Sequence, residues 1–367
     1  MPVQIDAIIE RLGENNTLAL GGLLVGFAFG FFAQRSRFCL RSAVIEFSRN
    51  HTGGKLTVWL FAFATAVLGT QMLALLGAFD SHDARQIAAR GSLSGAAIGG
   101  LLFGIGMILA RGCSSRLLVL AAQGNLRSLM SGLMFAVTAQ AAWTGILEPV
   151  RTSISGWWTV DGGASRDLLL RIGMGHVGGL AFGAVWLLAA IFWARRQRVE
   201  VWGWAGAIGA GLAVAGAWWA TYAISKASFD PHPVQALSFT GPSAEVLTRV
   251  LFAGDKPPTF DLGLVPGVFL GAFVAAALFG ELKLEGFHDG ASMRRYLVGA
   301  MCMGFGGMLA GGCAVGAGLS GAAVFNITSW VTLCGMWAGA ALTDRLIDQP
   351  AIGVQDQTAP GEVRQAA

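Results

Sequence analysis

Three cysteines stand where apolar, glycine-rich runs break off. Cys39 follows Arg35-Ser36-Arg37-Phe38, Cys113 follows Ala110-Arg111-Gly112, and Cys313 follows Gly311-Gly312. A fourth position, Thr240, follows Phe239 as Cys39 follows Phe38. A thiol is a weak hydrogen-bond donor on a soft, polarizable atom, so it suits a sulfur-bearing ligand better than a phosphate or a hard cation. Each of the four opens a short segment read as a helix, and the first turn of a helix offers free N–H groups at a positive dipole end. Pointed inward, such an end holds an anion. These residues predict a passage for a sulfur-containing anion. Cys39, Cys113 and Cys313 are its successive contacts, Thr240 is its hydroxyl counterpart, and Gly112, Gly312, Ser114 and Gly241 line the same breaks. Cys302 and Cys334 lie inside apolar runs and read as packing residues. No C-x-x-C pair occurs, and His82, His232 and His288 show no metal spacing. No cofactor, metal or enzymatic activity is expected.

The elements that must place these residues come in two copies. Gly99, Gly104, Gly106, Leu109, Ala110, Gly112 and Cys113 recur 200 residues later as Gly299, Gly304, Gly306, Leu309, Ala310, Gly312 and Cys313. At an offset of 201, Phe38, Ser42 and Ala43 match Phe239, Ser243 and Ala244, while Asn125 and Ser128 match Asn326 and Ser329. Two related halves in a hydrophobic chain are a signature of membrane transporters.

Composition agrees. Hydrophobic residues make up 54% and charged residues 13%, against about 25% charged in soluble domains. The 53 glycines show no Gly-X-Y period and suit close helix packing in lipid. The net charge of +4 is read as basic cytoplasmic loops, not as nucleic-acid binding. The start of the chain lacks the basic and apolar regions of a signal peptide.

A crossing needs about 20 apolar residues. Nine candidates follow: 17–33, 57–79, 92–110, 128–147, 176–193, 202–224, 262–281, 296–310 and 328–342. Four shorter segments, Arg37–Phe47, Cys113–Gln123, Phe239–Leu251 and Cys313–Val324, read as re-entrant half-helices. The expected fold is thus an all-α polytopic membrane protein in two inverted repeats. Residues 1–150 form the first, 151–200 carry a joining span, 201–345 form the second, and 346–367 are a disordered tail. Arg35, Arg37, Arg41, Arg49, Lys55, Arg195, Arg196, Arg198, Lys283, Arg294 and Arg295 fall on one side. Fewer basic residues, Lys226 and Lys256 among them, fall on the other. The positive-inside rule makes the first side cytoplasmic, with the N-terminus outside and the C-terminus inside.

Other polar residues read as structural. Asn125 and Asn326 are helix caps, Gln71 and Gln140 interhelical partners, Glu46 the partner of a nearby arginine, and the Trp pairs at 157–158 and 218–219 interfacial anchors. No Asp or Glu pair suggests a proton relay within the spans. Arg111 and Arg116 are either cytoplasmic anchors or attractors of the anion.

Arg35-Ser36-Arg37-Phe38-Cys39, Ala110-Arg111-Gly112-Cys113-Ser114-Ser115 and Gly311-Gly312-Cys313-Ala314-Val315-Gly316 resemble the three cysteine motifs of the YeeE/YedE sulfur-transport family. Phe239-Thr240-Gly241-Pro242-Ser243 is similar to its Thr-Gly-Pro motif. The resemblance implies a bacterial inner-membrane carrier of the thiosulfate ion, serving sulfur assimilation, with inverted halves and re-entrant helices meeting at a constriction. It also implies that Cys39, Cys113 and Cys313 pass the ion along by S–H hydrogen bonds without covalent exchange. The partners it implies are thiosulfate, membrane lipid and a TusA-like sulfur-carrier protein on the cytoplasmic side. Other sulfur or selenium species stand as alternative cargoes. A membrane thiol or persulfide relay enzyme is a competing reading, and so is a channel for small neutral solutes.

Overall fold

The computed structural model describes residues 2–49, 53–230, 232–252, 257–286 and 290–348. His288, Lys256 and the tail beyond residue 348 lie outside the described residues. The chain begins with α1 (Pro2–Leu12), followed by α2 (Glu14–Ser36), α3 (Leu40–Ser48) and α4 (Gly54–Leu75). A short α5 (Arg85–Ala88) leads to α6 (Leu93–Leu109), α7 (Ser114–Ala122), α8 (Leu126–Thr144) and α9 (Glu148–Gly156). After α10 (Leu168–Ile172) come α11 (Gly175–Gln197), α12 (Val201–Ala227) and α13 (Thr240–Phe252). The last are α14 (Phe260–Leu278), α15 (Gly290–Ala310) and α16 (Ile327–Thr343). A two-residue ribbon, Gly91–Ser92 against Thr159–Val160, is the only sheet among the described residues.

All nine long helices read from the sequence are present, shifted by a few residues. Among the described residues six helical stretches, not nine, are long and apolar enough to cross a membrane, or seven if α8 and α9, bent by 66° at their junction, count as one. Two of the six are composite. Glu14–Ser48 runs α2 on into α3, and Leu93–Ala122 runs α6 on into α7. At 35 and 30 residues, both exceed the roughly 20 that one crossing needs, and past the exposed Arg37 and Arg111 each break is buried at Phe38, Cys39 and Cys113. The protein is an all-α, multi-pass membrane protein.

Capping side chains fix where several helices start. Ser92 accepts from the Gly95 N–H at 2.8 Å, Asn125 from Ser128 at 2.8 Å, Thr259 from Leu262 at 3.1 Å and Asn326 from Thr328 at 3.2 Å. Each satisfies one of the orphan donors of a first turn. Both asparagines therefore cap as read.

Glycine sets how the helices meet. A Cβ on Gly99 would lie 2.5 Å from the Gly306 carbonyl oxygen, and one on Gly306 would lie 2.7 Å from the Gly99 oxygen. One on Gly299 would lie 2.7 Å from the Gly106 oxygen. These pairs make α6 and α15 cross antiparallel with their backbones touching. By the repeat, contact 99–306 and contact 106–299 are the same contact made twice. The flanking pairs follow suit: Gly104 abuts Met336 on α16, and Gly304 abuts Phe135 on α8. Small residues at such seams let backbones approach where lipid offers no hydrophobic drive between helices.

Several expectations need correction. Cys313–Val324 is not a regular half-helix: it carries one six-residue π-helical segment, Gly316–Gly321. Three glycines in Gly316-Ala317-Gly318-Leu319-Ser320-Gly321 leave little α-helical propensity to hold it. The tail does not start at residue 346, because Asp344–Asp348 forms another π-helical turn tied down by ion pairs. Asp344 is fully buried and takes Arg49 on both carboxylate oxygens, at 2.8 and 3.0 Å. Asp348 pairs with Arg295 at 2.6 Å and Arg41 at 3.4 Å. Trp218 is fully buried against Phe79 rather than interfacial. Glu46 accepts from the N–H groups of Lys55 and Leu56, capping α4. Gln71 does bond across elements, to the Ala323 carbonyl at 2.7 Å. Gln140 bonds only to Thr144 on its own helix.

Candidate functional site

The two Gly-Cys breaks are built alike. At the end of α6, Arg111 N–H donates to the Ile108 carbonyl and Gly112 N–H to the Met107 carbonyl. At the end of α15, Gly311 donates to Met308 and Gly312 to Gly307. This is the Schellman arrangement, which requires a left-handed residue after the helix. Arg111 and Gly311 supply it, with φ of 56° and 75°. Gly112 or Gly312 then turns the chain, and the cysteine follows. Arg37 plays the left-handed part at the end of α2, with φ of 52°, two residues before Cys39. Cys39 and Cys113 sit in extended backbone as the residues immediately before α3 and α7.

All three thiols are buried and unoxidised. Cys39 and Cys113 are neighbours, their thiols within interaction range of one another. Cys113 Sγ also lies 3.4 Å from the Ser115 hydroxyl. Cys313 Sγ accepts two backbone N–H groups, from Phe239 at 3.3 Å and from Gly316 at 3.4 Å. With its sulfur already accepting twice, the Cys313 S–H is left to donate. The bond from Phe239 also ties Cys313 to the residue before Thr240. The Phe239 ring packs tilted against Phe29 of α2, centroids 5.7 Å apart, so the segment before Thr240 touches the core around α2.

Two hydroxyls at the site are buried and unpartnered: Ser114 Oγ and Thr240 Oγ1. Thr240 lies over Gly307, where a Cβ would come within 2.9 Å of its hydroxyl. Ser114 and Ser243, from α7 and α13, line one mostly apolar cavity of about 200 Å³. Gly241 has open space where a Cβ would project, so nothing in packing demands glycine there. Cys302 is half-buried and Cys334 exposed, away from these contacts.

Arg41 lies within electrostatic range of Cys39, and Arg116 within range of both Cys39 and Cys113. Its Nη1 is buried without a partner. It lines a cavity of about 310 Å³ with Arg37, Lys283, Glu281 and Glu285. Arg111 is exposed. The sequence treated the two arginines alike, and the fold separates them. Around the same face Glu281 collects Gln34 at 2.6 Å, Arg35 at 3.1 Å and Arg37 at 3.7 Å. Arg35 also lies 3.7 Å over the Phe279 ring. Burial raises the Glu281 carboxyl, but the Gln34 bond and the two arginines outweigh it and hold the group below its ordinary value.

Sequence reasoning missed three further features. Arg166, 5% exposed and without a carboxylate partner, donates to Ala89 and Thr328. Burial pushes its guanidinium down to about 10. Asp261 and Glu245, 16 residues apart, are brought within electrostatic range of each other. Beside them Gln235, 8% exposed, keeps an unpartnered Oε1. No cluster of His, Cys, Asp and Glu among the described residues has the form of a metal site.

Comparison with known proteins gives one family. The model of the Sulphur transport family matches residues 35–342. The chain is 28% identical over 337 residues to a protein of Spirochaeta thermophila named thiosulfate transporter TsuA, covering 87% of this chain and 97% of that one. It is 25% identical over 352 residues to the Escherichia coli protein of the same name, covering 89% and 95%.

Proposed function

The chain belongs to the Sulphur transport family, and from that premise we propose that it imports thiosulfate for sulfur assimilation. The relatives' names support this cargo. So does the chemistry of the breaks. Thiosulfate carries a terminal sulfur that accepts a soft S–H donor, and oxygens that accept N–H and hydroxyl donors. Cys39, Cys113 and Cys313 offer the first kind. Thr240, Ser114 and the free amides that open α7 and α13 offer the second. The observation that carries the reading is Cys313. Its sulfur is saturated as an acceptor by Phe239 and Gly316, and its S–H is left for the ion. Hydrogen bonding to thiols is weak enough to release the ion from one contact to the next, as conduction requires.

In this reading residues 1–150 and 201–345 are inverted halves joined through 151–200. The reciprocal, antiparallel 99–306 and 106–299 contacts support it. The membrane is the bacterial inner membrane, with the N-terminus periplasmic and the C-terminus cytoplasmic. The basic cluster around Glu281, Asp344 and Asp348 supports that orientation. Arg116 draws the anion toward the Cys39–Cys113 pair from the cytoplasmic cavity. A TusA-like sulfur-carrier protein is the proposed partner on that side.

The deciding experiment is uptake of labelled thiosulfate into proteoliposomes, with sulfate, sulfite and selenite as competitors. Saturable uptake that a tenfold excess of sulfate leaves intact is the expected result. Preferential transport of another anion would reassign the cargo.

A further inference from the structure

We infer that Asp261, Glu245 and Gln235 form a proton-binding site that couples proton entry to anion entry. The inference rests on the reading of the cargo as thiosulfate. A dianion entering an inside-negative cell is excluded by its own charge. Each elementary charge is worth about fifty-fold per 100 mV, and two are worth roughly 2,000-fold. One co-transported proton cancels one of the two charges and so relieves about fifty-fold of that opposition per 100 mV.

Near the start of α14, an unpartnered amide oxygen lies beside two carboxylates. Gln235 Nε2 donates to Asp261 Oδ1 at 2.9 Å. Thr259 donates to Glu245 Oε1 at 2.7 Å. Gln235 Oε1 is left buried with no donor, beside the Asp261 carboxylate and within electrostatic reach of Glu245. A buried acceptor without a donor is costly, and one hydrogen on Asp261 would supply the missing donor. Three groups face Asp261: Gln235 from the segment before α13, Glu245 from α13 and Arg85 from α5. One cation against two carboxylates leaves room for one proton. An ionisable group within a membrane segment is a functional site by default.

The site is wired to the thiols. Gln235 is held at both backbone ends by Thr221, which receives its N–H at 3.2 Å and donates to its carbonyl at 2.7 Å. Two residues on, the Leu237 carbonyl accepts from Ser320 at 2.7 Å. Two further on, Phe239 donates to Cys313, and Thr240 opens α13. Gaining or losing a proton at Asp261 changes what Gln235 can bond. That change acts on the strand of chain holding Cys313 and Thr240.

The test uses proteoliposomes of the full chain with the potential clamped by valinomycin and equal potassium. An acid-outside gradient of one pH unit should raise thiosulfate accumulation at least threefold. Thiosulfate addition should acidify the lumen, read by trapped pyranine. Asp261→Asn and Glu245→Gln, judged on preparations that still perform thiosulfate counterflow, should lose the gradient response. A wild-type protein with counterflow but no pH-gradient response and no luminal acidification would overturn the inference. So would a response to a sodium gradient alone, or a full pH response in both variants. Absence of counterflow in the wild type would instead indict the choice of cargo.

Discussion

The backbone N–H of Phe239 donates to the sulfur of Cys313 across 74 residues of sequence. The bond joins the two breaks of the second half into one unit. It also occupies the Cys313 sulfur as an acceptor, which leaves the S–H free to donate.

That unit makes the thiols unequal to hydroxyls. Replacing Cys39, Cys113 or Cys313 by Ala should each cut thiosulfate uptake at least tenfold at matched expression. Ser at the same positions should do little better, since oxygen is smaller and less polarizable than sulfur. Cys302→Ala and Cys334→Ala should transport normally. Initial rates of labelled uptake decide it, and equal rates in all five Ala variants would reduce the cysteines to packing. Mass spectrometry of the working protein adds a second check: a persulfide on any of the three would point to covalent relay.

The glycine seam should respond very differently from glycines in open space. Gly99→Ala places a methyl 2.5 Å from a backbone oxygen, which side-chain motion cannot relieve. Overpacking of this kind costs about 1–3 kcal/mol, so thermal stability in detergent should fall clearly. Gly132 of α8 and Gly216 of α12 have nothing within 4 Å of an added Cβ. Alanine there should be neutral or stabilising by up to about 1 kcal/mol, through helix propensity.

Glu281 gives a pH signature. Its carboxyl sits below its ordinary value in the folded protein, with burial outweighed by Gln34, Arg37 and Arg35. Its contribution to stability is therefore complete above the unfolded carboxylate value. It is lost as pH falls through the folded one. Melting temperature should drop more steeply toward acid in the wild type than in Glu281→Gln. Parallel curves would count against the cluster as a tie between α2 and the end of α14.

Orientation can be read by labelling. In a cysteine-free background, His82→Cys places an exposed thiol at the proposed outer face, and Arg196→Cys one at the inner face. A membrane-impermeant maleimide should modify the first in intact cells and the second only after permeabilisation. Labelling of both from one side would break the proposed topology.

Much of this was legible in the chain itself. Apolar runs locate the nine long helices, although only six or seven stretches among the described residues are long and apolar enough to cross, fewer than the nine spans expected. The Gly-Cys breaks were legible because a Schellman cap needs a left-handed residue, and Gly311 advertises one. Arg111 conceals the same geometry, and only the repeat exposes it. What depends on tertiary approach was hidden. Asp261 and Glu245 lie on different helices, and nothing local pairs them. Arg116 and Arg111 look alike until one is buried beside two thiols and the other is not. Trp218 was misread because a Trp pair looks interfacial wherever it falls, although only Trp157 and Trp158 are left 68% and 65% exposed.

The seam between α6 and α15 has an implication for ancestry. A surface whose contacts map onto themselves under a two-fold rotation is its own complement. A single half, inserted into the membrane in both orientations, would find that matching surface on a second copy of itself. Fusing two such copies head to tail leaves one requirement, an odd number of crossings between them. The α11 helix, only 22% buried over its apolar window, meets that requirement while contributing little to the interior. On the proposed inverted-repeat reading, the chain corresponds to a dual-topology dimer whose two orientations one gene encodes.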